Sequence, residues 1–152
     1  MSLSPVPAAI AVIVHEGRTL LVRRANPPDA GLWGFPGGKI EFGETVKDAA
    51  MRELLEETGV VAQAQDIITT LDILVHDPSG AMRQHYILIA VQCRWISGEP
   101  VAGDDALEAR WFPIAELDPD RIAMSADVDS IARRAQALAS NPGENPDGLH
   151  ER

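Results

Sequence analysis

Residues 45–58 constrain the fold of this chain more than any other segment, because they predict a helix whose two ends are both marked. Thr45 is a residue type that caps helix N-termini, and Gly59 stands where helices often end in a left-handed residue. Good helix formers and no proline fill the positions between them. Any fold of this chain must therefore pack this helix against the rest of the molecule.

Three glutamates lie on one side of this predicted helix. At about 100° per residue, Glu53, Glu56 and Glu57 fall within a sector of roughly 100°. Ala49 and Ala50 share that sector, so the acids do not lie opposite the apolar side, as they do on an ordinary solvated face. Clustered carboxylates need cations to neutralise them, and hard oxygen ligands favour Mg²⁺ or Mn²⁺. On the helix alone, a Glu-rich surface helix is an equal alternative.

The loop before the predicted helix favours a ligand site over a plain acidic surface. Gly37 and Gly38 follow Pro36, and glycines there let backbone groups approach a ligand or a metal ion closely. Glu44 lies just before the helix, where a negative charge suits the helix dipole. In the functional interpretation, its carboxylate instead orients a ligand or the Arg52 side chain.

The rest of the chain predicts strands, turns and one further helix. Strands are predicted at residues 8–14, 19–22, 33–35, 67–75, 86–95 and 108–112, a helical turn at 114–117 and a helix at 127–140. Helices and strands are mixed without strict alternation, which predicts an α/β (α+β) fold with a mixed sheet. Residues 1–140 form one predicted domain, and the Pro-, Gly- and Asn-rich residues 141–152 are predicted to be a disordered tail.

Charge and composition exclude several classes of protein. The chain has 152 residues and a net charge of −10, which argues against nucleic acid or anionic membranes as partners. No basic residue precedes the first apolar run, and no apolar stretch reaches about 18 residues, so neither a secretory signal nor a membrane span is expected. The single Cys93 allows no intrachain disulfide and is interpreted as a small strand residue, which fits a cytoplasmic protein. We expect a monomer or a homodimer.

The segment from Gly38 to Val60 resembles the Nudix box at every defined position. The matching residues are Gly38, Glu44, Arg52, Glu53, Leu54, Glu56, Glu57, Gly59 and Val60. Residues 21–25 and 35–41 are similar to MutT-type nucleoside triphosphate pyrophosphohydrolases, and residues 31–38 are equally similar to small ADP-ribose pyrophosphatases. The resemblance implies an α-β-α sandwich and cleavage of a nucleoside diphosphate linked to a second group, X.

The resemblance also implies roles for residues of the box. The implied metal ligands are Glu53, Glu56, Glu57 and a backbone carbonyl of Gly37 or Gly38. Glu53 either binds the metal or deprotonates the attacking water, while Arg52 holds the carboxylates in place. The cofactor is Mg²⁺ or Mn²⁺, which would neutralise phosphate charge and lower the pKa of water.

Relatives in the family often supply one more acidic group from a loop outside the box. Here the candidates are Asp104, Asp105 and Glu108. Asp105 is favoured because it stands six residues before Trp111. The alternative interpretation of each is a polar loop residue without a catalytic part.

Four residues outside the box glutamates are candidate substrate contacts. Arg23 ends a predicted strand beside a Pro-rich loop and is the first candidate for a phosphate contact. Arg83 and Lys39 are further candidates, and a solvated surface charge is the alternative for all three. Trp33 either stacks on a base or belongs to the core.

Two classes of small-molecule nucleotide substrate stay open. A (d)NTP that gives a nucleoside monophosphate and pyrophosphate is placed first, and ADP-ribose or a related nucleotide sugar is the alternative. Residues 122–127 contain no Asn to match the MutT proteins that read oxidised guanine, and Leu74 and Val75 stand where the ADP-ribose subgroup has a proline. A more remote hypothesis is a non-catalytic Nudix module that senses a ligand, but the complete set of box glutamates argues against it.

Overall fold

The computed structural model describes residues 3–140 and contains seven strands and two α-helices in that range. The strands are β1 (Val6–His15), β2 (Arg18–Arg24), β3 (Trp33–Gly34), β4 (Gly37–Lys39), β5 (Val61–His76), β6 (Met82–Ser97) and β7 (Ala106–Pro113). The helices are α1 (Val46–Thr58) and α2 (Val128–Ser140), and a 3₁₀ turn covers Ile114–Glu116. The predicted disorder of the C-terminal tail lies outside the described residues.

The strands form one mixed sheet, as predicted. Its order is β3-β2-β1-β6-β5, with β4 paired to β1 and β7 paired to β2. The pair β1–β6 is parallel and all other pairs are antiparallel. β1 therefore lies at the centre, and it pairs with β4 near its start and with β2 at its end.

The two faces of β1 are both buried, which makes the molecule a three-layer sandwich. Ala9, Ala11 and Ile13 contact the core beneath α1, whereas Val12 contacts the core beneath α2. This alternation follows from the two-residue period of a strand, and it explains why the sequence of β1 is continuously apolar. The predicted α-β-α sandwich is confirmed.

Strands β5 and β6 are longer than the sequence predicted. The prediction began β5 at Ile67, but the strand starts at Val61 and passes through register shifts near Ala64 and Ile67. Polar residues such as Gln65 face solvent there, and the shifts interrupt the apolar alternation that the prediction required. Together the two strands form a long hairpin that contributes one wall of the site described below.

Further predictions concerned the loop after Pro36, the position of Cys93 and the absence of a membrane span. Gly37–Lys39 is a short strand rather than part of a loop, because its backbone pairs with β1. Cys93 lies in strand β6 as predicted, and its burial raises the pKa of its thiol to about 12. None of the described helices is long and apolar enough to cross a membrane.

Candidate active site

Both ends of α1 are fixed by the caps that the sequence predicted. The Thr45 hydroxyl accepts a hydrogen bond from the backbone N–H of Asp48 at 3.1 Å. Gly59 adopts φ 74° and donates its N–H to the carbonyl of Leu55. Thr58 adds a bond from its hydroxyl to the Leu54 carbonyl at 2.7 Å. Because the helix cannot slide or fray freely, the glutamates on it are held at defined positions.

Arg52 is the centre of an ion-pair network that joins the helix to the preceding loop. Its Nε and Nη2 donate to the two carboxylate oxygens of Glu44 at 2.6 and 2.9 Å. Its Nη1 donates to Glu53 at 3.0 Å and to Glu56 at 3.2 Å, and its Nη2 also reaches the Lys39 carbonyl. The Arg52 hydrogen bond lowers the pKa of Glu44 to about 2. These are the contacts expected if Glu44 and Arg52 position the other carboxylates.

Glu53 and Glu57 lie one helical turn apart and interact directly. Desolvation raises the pKa of Glu57 to about 9, and the hydrogen bond and charge of Glu53 act in the same direction. A hydrogen bond from the backbone of Gly37 and the positive charge of Arg24 oppose this shift of the pKa. In the absence of added positive charge, the pair therefore holds a proton at neutral pH.

The two glycines of β4 leave space that side chains would fill. A Cβ atom on Gly38 would lie 2.5 Å from Oε2 of Glu53, closer than real Cβ atoms approach. A Cβ atom on Gly37 would overlap the backbone of Ala9 and Ile10. Neither glycine has a positive φ, so their absent side chains, not an unusual backbone conformation, are what the site needs. The Glu53 carboxylate consequently packs directly against the loop backbone.

A cavity of about 590 Å³ opens above this pair of carboxylates. Glu53, Glu57, Gly37 and Gly38 form part of its wall. Its other walls come from the loop after β2, the loop before β7, the β5–β6 hairpin and the start of α2. Apolar side chains line much of it, including Ile10, Phe35, Leu71, Leu88, Val128 and Ile131. A cavity whose wall combines charged side chains with apolar ones suits an organic ligand that itself carries charge.

Arg24, which the sequence analysis did not select, is the arginine of this cavity. It lines the cavity, and its Nε donates to the Pro28 carbonyl at 2.8 Å. Arg23, the predicted phosphate contact, instead pairs with Glu108 on β7 at 2.7 Å and does not line the cavity. The pairing of β2 with β7 shifts register between Arg23 and Arg24, so that Arg23 stays beside Glu108 while Arg24 lines the cavity. Val22 also lines the cavity, and its two-residue spacing from Arg24 is the sequence signal that would have indicated the choice.

The comparison with protein families agrees with this geometry. A model of the NUDIX domain matches residues 4–133, which is most of the chain. The chain belongs to the Nudix family.

Three relatives illustrate the range of similar Nudix proteins. A Methanocaldococcus jannaschii protein named ADP-ribose pyrophosphatase is 37% identical over 115 residues, covering 76% of this chain and 66% of that protein. A Danio rerio protein named oxidized purine nucleoside triphosphate hydrolase is 31% identical over 108 residues, covering 71% of this chain and 66% of that protein. The chain thus spans about two thirds of the length of these two relatives. The crystal structure of a MutT NUDIX hydrolase from Burkholderia pseudomallei has a TM-score of 0.73 and 27% identity, covering 86% of this chain and 98% of that chain.

The metal-ligand set predicted for this Nudix protein is only partly assembled. Glu53 and Glu57 line the cavity, but Glu56 is paired with Arg52, has a side chain 46% exposed and does not line it. Within residues 3–140, no three His, Cys, Asp or Glu side chains are arranged to hold a metal ion. The physical reason is that Arg52 competes with a metal ion for the carboxylates of the helix, because it already forms ion pairs with Glu53 and Glu56. The oxygen donors of Glu53 and Glu57 nevertheless fit a hard divalent cation, which would supply the charge that their ionisation requires.

The remaining predicted contacts of this Nudix protein divide between the cavity and other places. Asp105 and Lys39 line the cavity. Trp33 does not present its ring for stacking on a base. It is buried, packs edge-on against Phe112 at 4.8 Å between ring centroids, and belongs to the core. Arg83 does not line the cavity either, because it sits on the β5–β6 hairpin in an ion pair with Asp77 at 2.7 Å.

Proposed function

We propose that this Nudix protein is a hydrolase that cleaves the diphosphate linkage between a nucleoside and a second group X, with Mg²⁺ or Mn²⁺ as cofactor. The observation that carries the proposal is the Glu53–Glu57 pair beside Arg24 in one cavity. The carboxylates provide hard ligands for a cation, and the guanidinium provides a phosphate contact. A purely structural acidic helix does not need a cavity or an arginine facing it.

The residues that would hold the divalent ion are Glu53, Glu57 and the backbone carbonyl of Gly38. Glu56 joins them only if its side chain leaves Arg52, to which it is bonded at 3.2 Å. The bound ion supplies positive charge that neutralises a diphosphate and makes a water molecule more acidic.

Several protein groups then have distinct parts in the reaction. Hydrolysis adds water across one P–O–P bridge and releases a nucleoside monophosphate and the phosphorylated group X, or pyrophosphate when the substrate is a (d)NTP, so one proton of the water must be accepted. Glu53 is the first candidate for this acceptor and Asp105 is the second, since both line the cavity. Arg24 binds a phosphate, and Arg52 keeps Glu44 and Glu53 in position through bonds of 2.6 and 3.0 Å. The apolar walls limit the access of other water molecules.

Among substrates, we place ADP-ribose-type compounds ahead of (d)NTPs, which reverses the order inferred from the sequence. The reason is that Lys39 and Tyr86 line both this cavity and a second groove, so a ligand can extend past the carboxylates on either side. A molecule with an organic group on each side of its diphosphate, such as ADP-ribose, fits both spaces better than a nucleoside triphosphate does. The relative named ADP-ribose pyrophosphatase supports the same order, while the one named oxidized purine nucleoside triphosphate hydrolase supports the (d)NTP class as the second candidate.

Product analysis on a panel of nucleotides tests the proposal. With Mg²⁺ present, ADP-ribose should give AMP and ribose 5-phosphate, and a (d)NTP should give the nucleoside monophosphate and pyrophosphate at lower kcat/KM. Chromatography identifies the products, and ¹⁸O-labelled water locates the attacked phosphorus. Inorganic phosphate as the primary product, or efficient cleavage of simple monophosphates, would contradict the proposed reaction.

A further inference from the structure

A second groove, of about 430 Å³, adjoins the cavity between the start of β1 and the start of β6. Residues 3–6 form one side, and residues 82–86, next to the turn of the β5–β6 hairpin, form the other. Lys39 and Tyr86 line both the groove and the cavity of the carboxylates. The two spaces are therefore neighbours that share part of their walls.

The charge of this groove is opposite to that of the whole chain. The chain has 23 Asp and Glu against 13 Lys and Arg, which gives the net charge of −10. The groove, in contrast, is lined by Lys39, Arg83 and His85 and by no Asp or Glu. The carboxylates of Asp77 and Asp72, which contact Arg83 and His85, are not part of this lining, so an anion inside the groove meets the positive groups first.

The positive side chains of the groove still have nitrogen atoms that can bind an anion. Within the described part of the chain, the Lys39 ammonium has no carboxylate within ion-pair distance. Arg83 contacts Asp77 through Nε alone, so its two terminal nitrogens remain available for an anion. The ring of His85 is oriented by Asp72 at 3.1 Å and supplies a third polar group. A guanidinium with two unengaged nitrogens suits the oxygens of a phosphate.

We propose that this groove binds a phosphate ester carried by group X, so that the preferred substrates are nucleoside diphosphates linked to a phosphorylated sugar. The proposal rests on the proposed function, because it takes the diphosphate to lie at Glu53 and Glu57. Group X then passes Lys39 and Tyr86 and places its terminal phosphate between Lys39 and Arg83. A phosphate monoester carries a charge of about −1.5 to −2 near neutral pH, and its oxygens can accept hydrogen bonds from Lys39 and from the two unengaged nitrogens of Arg83.

A matched pair of compounds tests this proposal. ADP-ribose and ADP-ribose 1″-phosphate differ only by one phosphate ester on group X, and hydrolysis gives ribose 5-phosphate from the first and ribose 1,5-bisphosphate from the second. We expect kcat/KM to be about tenfold higher for the phosphorylated compound, as one charge-assisted contact commonly contributes. Arg83→Gln should bring the ratio close to one and leave kcat/KM for ADP-ribose almost unchanged. Arg94→Gln, on the same strand but outside the groove, is the matched control and should keep the ratio.

Direct binding separates this proposal from the proposed function. Titration calorimetry in EDTA should show tighter binding of the 1″-phosphate, and Arg83→Gln should abolish the difference. Selective binding without cleavage in Mg²⁺ or Mn²⁺ would support the groove and overturn the proposed hydrolysis. Cleavage of both compounds with equal kcat/KM and equal affinity would support the hydrolysis and overturn the groove. An equal loss of the preference for the 1″-phosphate in Arg83→Gln and Arg94→Gln would also contradict phosphate binding in the groove, because it would indicate a general charge effect.

Discussion

Glu57 is the residue whose chemical environment departs most from that of a solvated side chain. It is partly buried and lies beside Glu53, and both facts disfavour its ionised form. Arg24 and the backbone of Gly37 offset only part of this effect. This environment has consequences for stability and for catalysis.

Glu57→Gln should change how the stability of the metal-free protein depends on pH. The pKa of Glu57 is about 9 in the folded chain and near 4.5 in the unfolded chain, so the folded state binds more protons between these values. Stability therefore falls as pH rises from about 4.5 through about 9, and Glu57→Gln removes this contribution. Urea unfolding in EDTA at pH 6 and pH 9.5 should show that the free energy of unfolding of the variant increases relative to that of the native chain as pH rises. Glu56→Gln is the control, and an equal gain there would assign the effect to the cluster as a whole.

The same Glu57→Gln protein should lose roughly 100-fold or more in kcat, about 2.7 kcal/mol, because it lacks a charged metal ligand. Because this variant is expected to fold normally, its loss of kcat can be distinguished from a loss of folded protein. An inactive variant that is also unfolded at pH 6 would indicate that Glu57 is a structural residue.

Arg24→Ala and Arg23→Ala form a second comparison between neighbouring residues. Arg24 lines the cavity, whereas Arg23 is engaged by Glu108. If the phosphate contact is equally strong in the ground state and the transition state, Arg24→Ala should raise KM about tenfold and change kcat little. Arg23→Ala should leave both constants within about twofold, as expected for an exposed ion pair. Steady-state kinetics measure this, and the opposite ranking would restore Arg23 as the phosphate contact.

At the scale of elements, α1 is both a structural part of the sandwich and the carrier of the site. Ala49, Ala50 and Leu54 are fully buried against β1, while Glu53 and Glu57 project from the same side of the helix into the cavity. The small side chains let the helix approach the sheet closely, so the carboxylates start from a fixed base. The stability of the helix N-terminus consequently bears on the site as well as on the fold.

Thr45→Ala should destabilise the protein by about 1 kcal/mol, because the N–H of Asp48 loses the hydroxyl that accepts its hydrogen bond. Thr45→Ser keeps the hydroxyl and should retain nearly all of the stability. Urea denaturation of the two variants side by side provides the measurement. Equal stability of the two variants would mean that the cap contributes nothing at this position.

For the whole molecule, the net charge of −10 sets the condition for binding any phosphorylated ligand. Such ligands are anions, so they approach only where local cations outweigh the general repulsion. In the described chain, three positive side chains line the cavity and the groove, namely Arg24, Lys39 and Arg83. A divalent ion at Glu53 and Glu57 would add the remaining charge.

Removal of divalent ions should therefore abolish activity. EDTA is expected to reduce turnover to background, and Mg²⁺ or Mn²⁺ should restore it, since hard oxygen ligands favour these ions. The readout is product formation by chromatography before and after metal is added back. Full turnover in a sample shown to be free of metal would contradict the proposed role of the carboxylates.

Regular local features were accessible to sequence analysis. The ends of α1 and the clustering of Glu53 with Glu57 follow from caps and a period of about 3.6 residues, and the apolar run of β1 indicated a strand. The register shifts of β5 and the strand at Gly37–Lys39 were missed, because both depend on pairing with a partner strand rather than on local pattern.

What the sequence by itself determined is the set of chemical groups and the helix that carries most of them: a capped helix with three glutamates, preceded by two glycines and resembling the Nudix box. Tertiary structure decided which groups meet. It turned Arg24 rather than Arg23 into the cavity, buried the ring of Trp33 against Phe112, and joined Arg52 of the helix to Glu44 of the preceding loop. The physical reason is that helix propensity and apolar periodicity reflect only a few neighbouring residues. Ion pairs and packing depend on distances between residues far apart in the chain, which only the folded sheet sets.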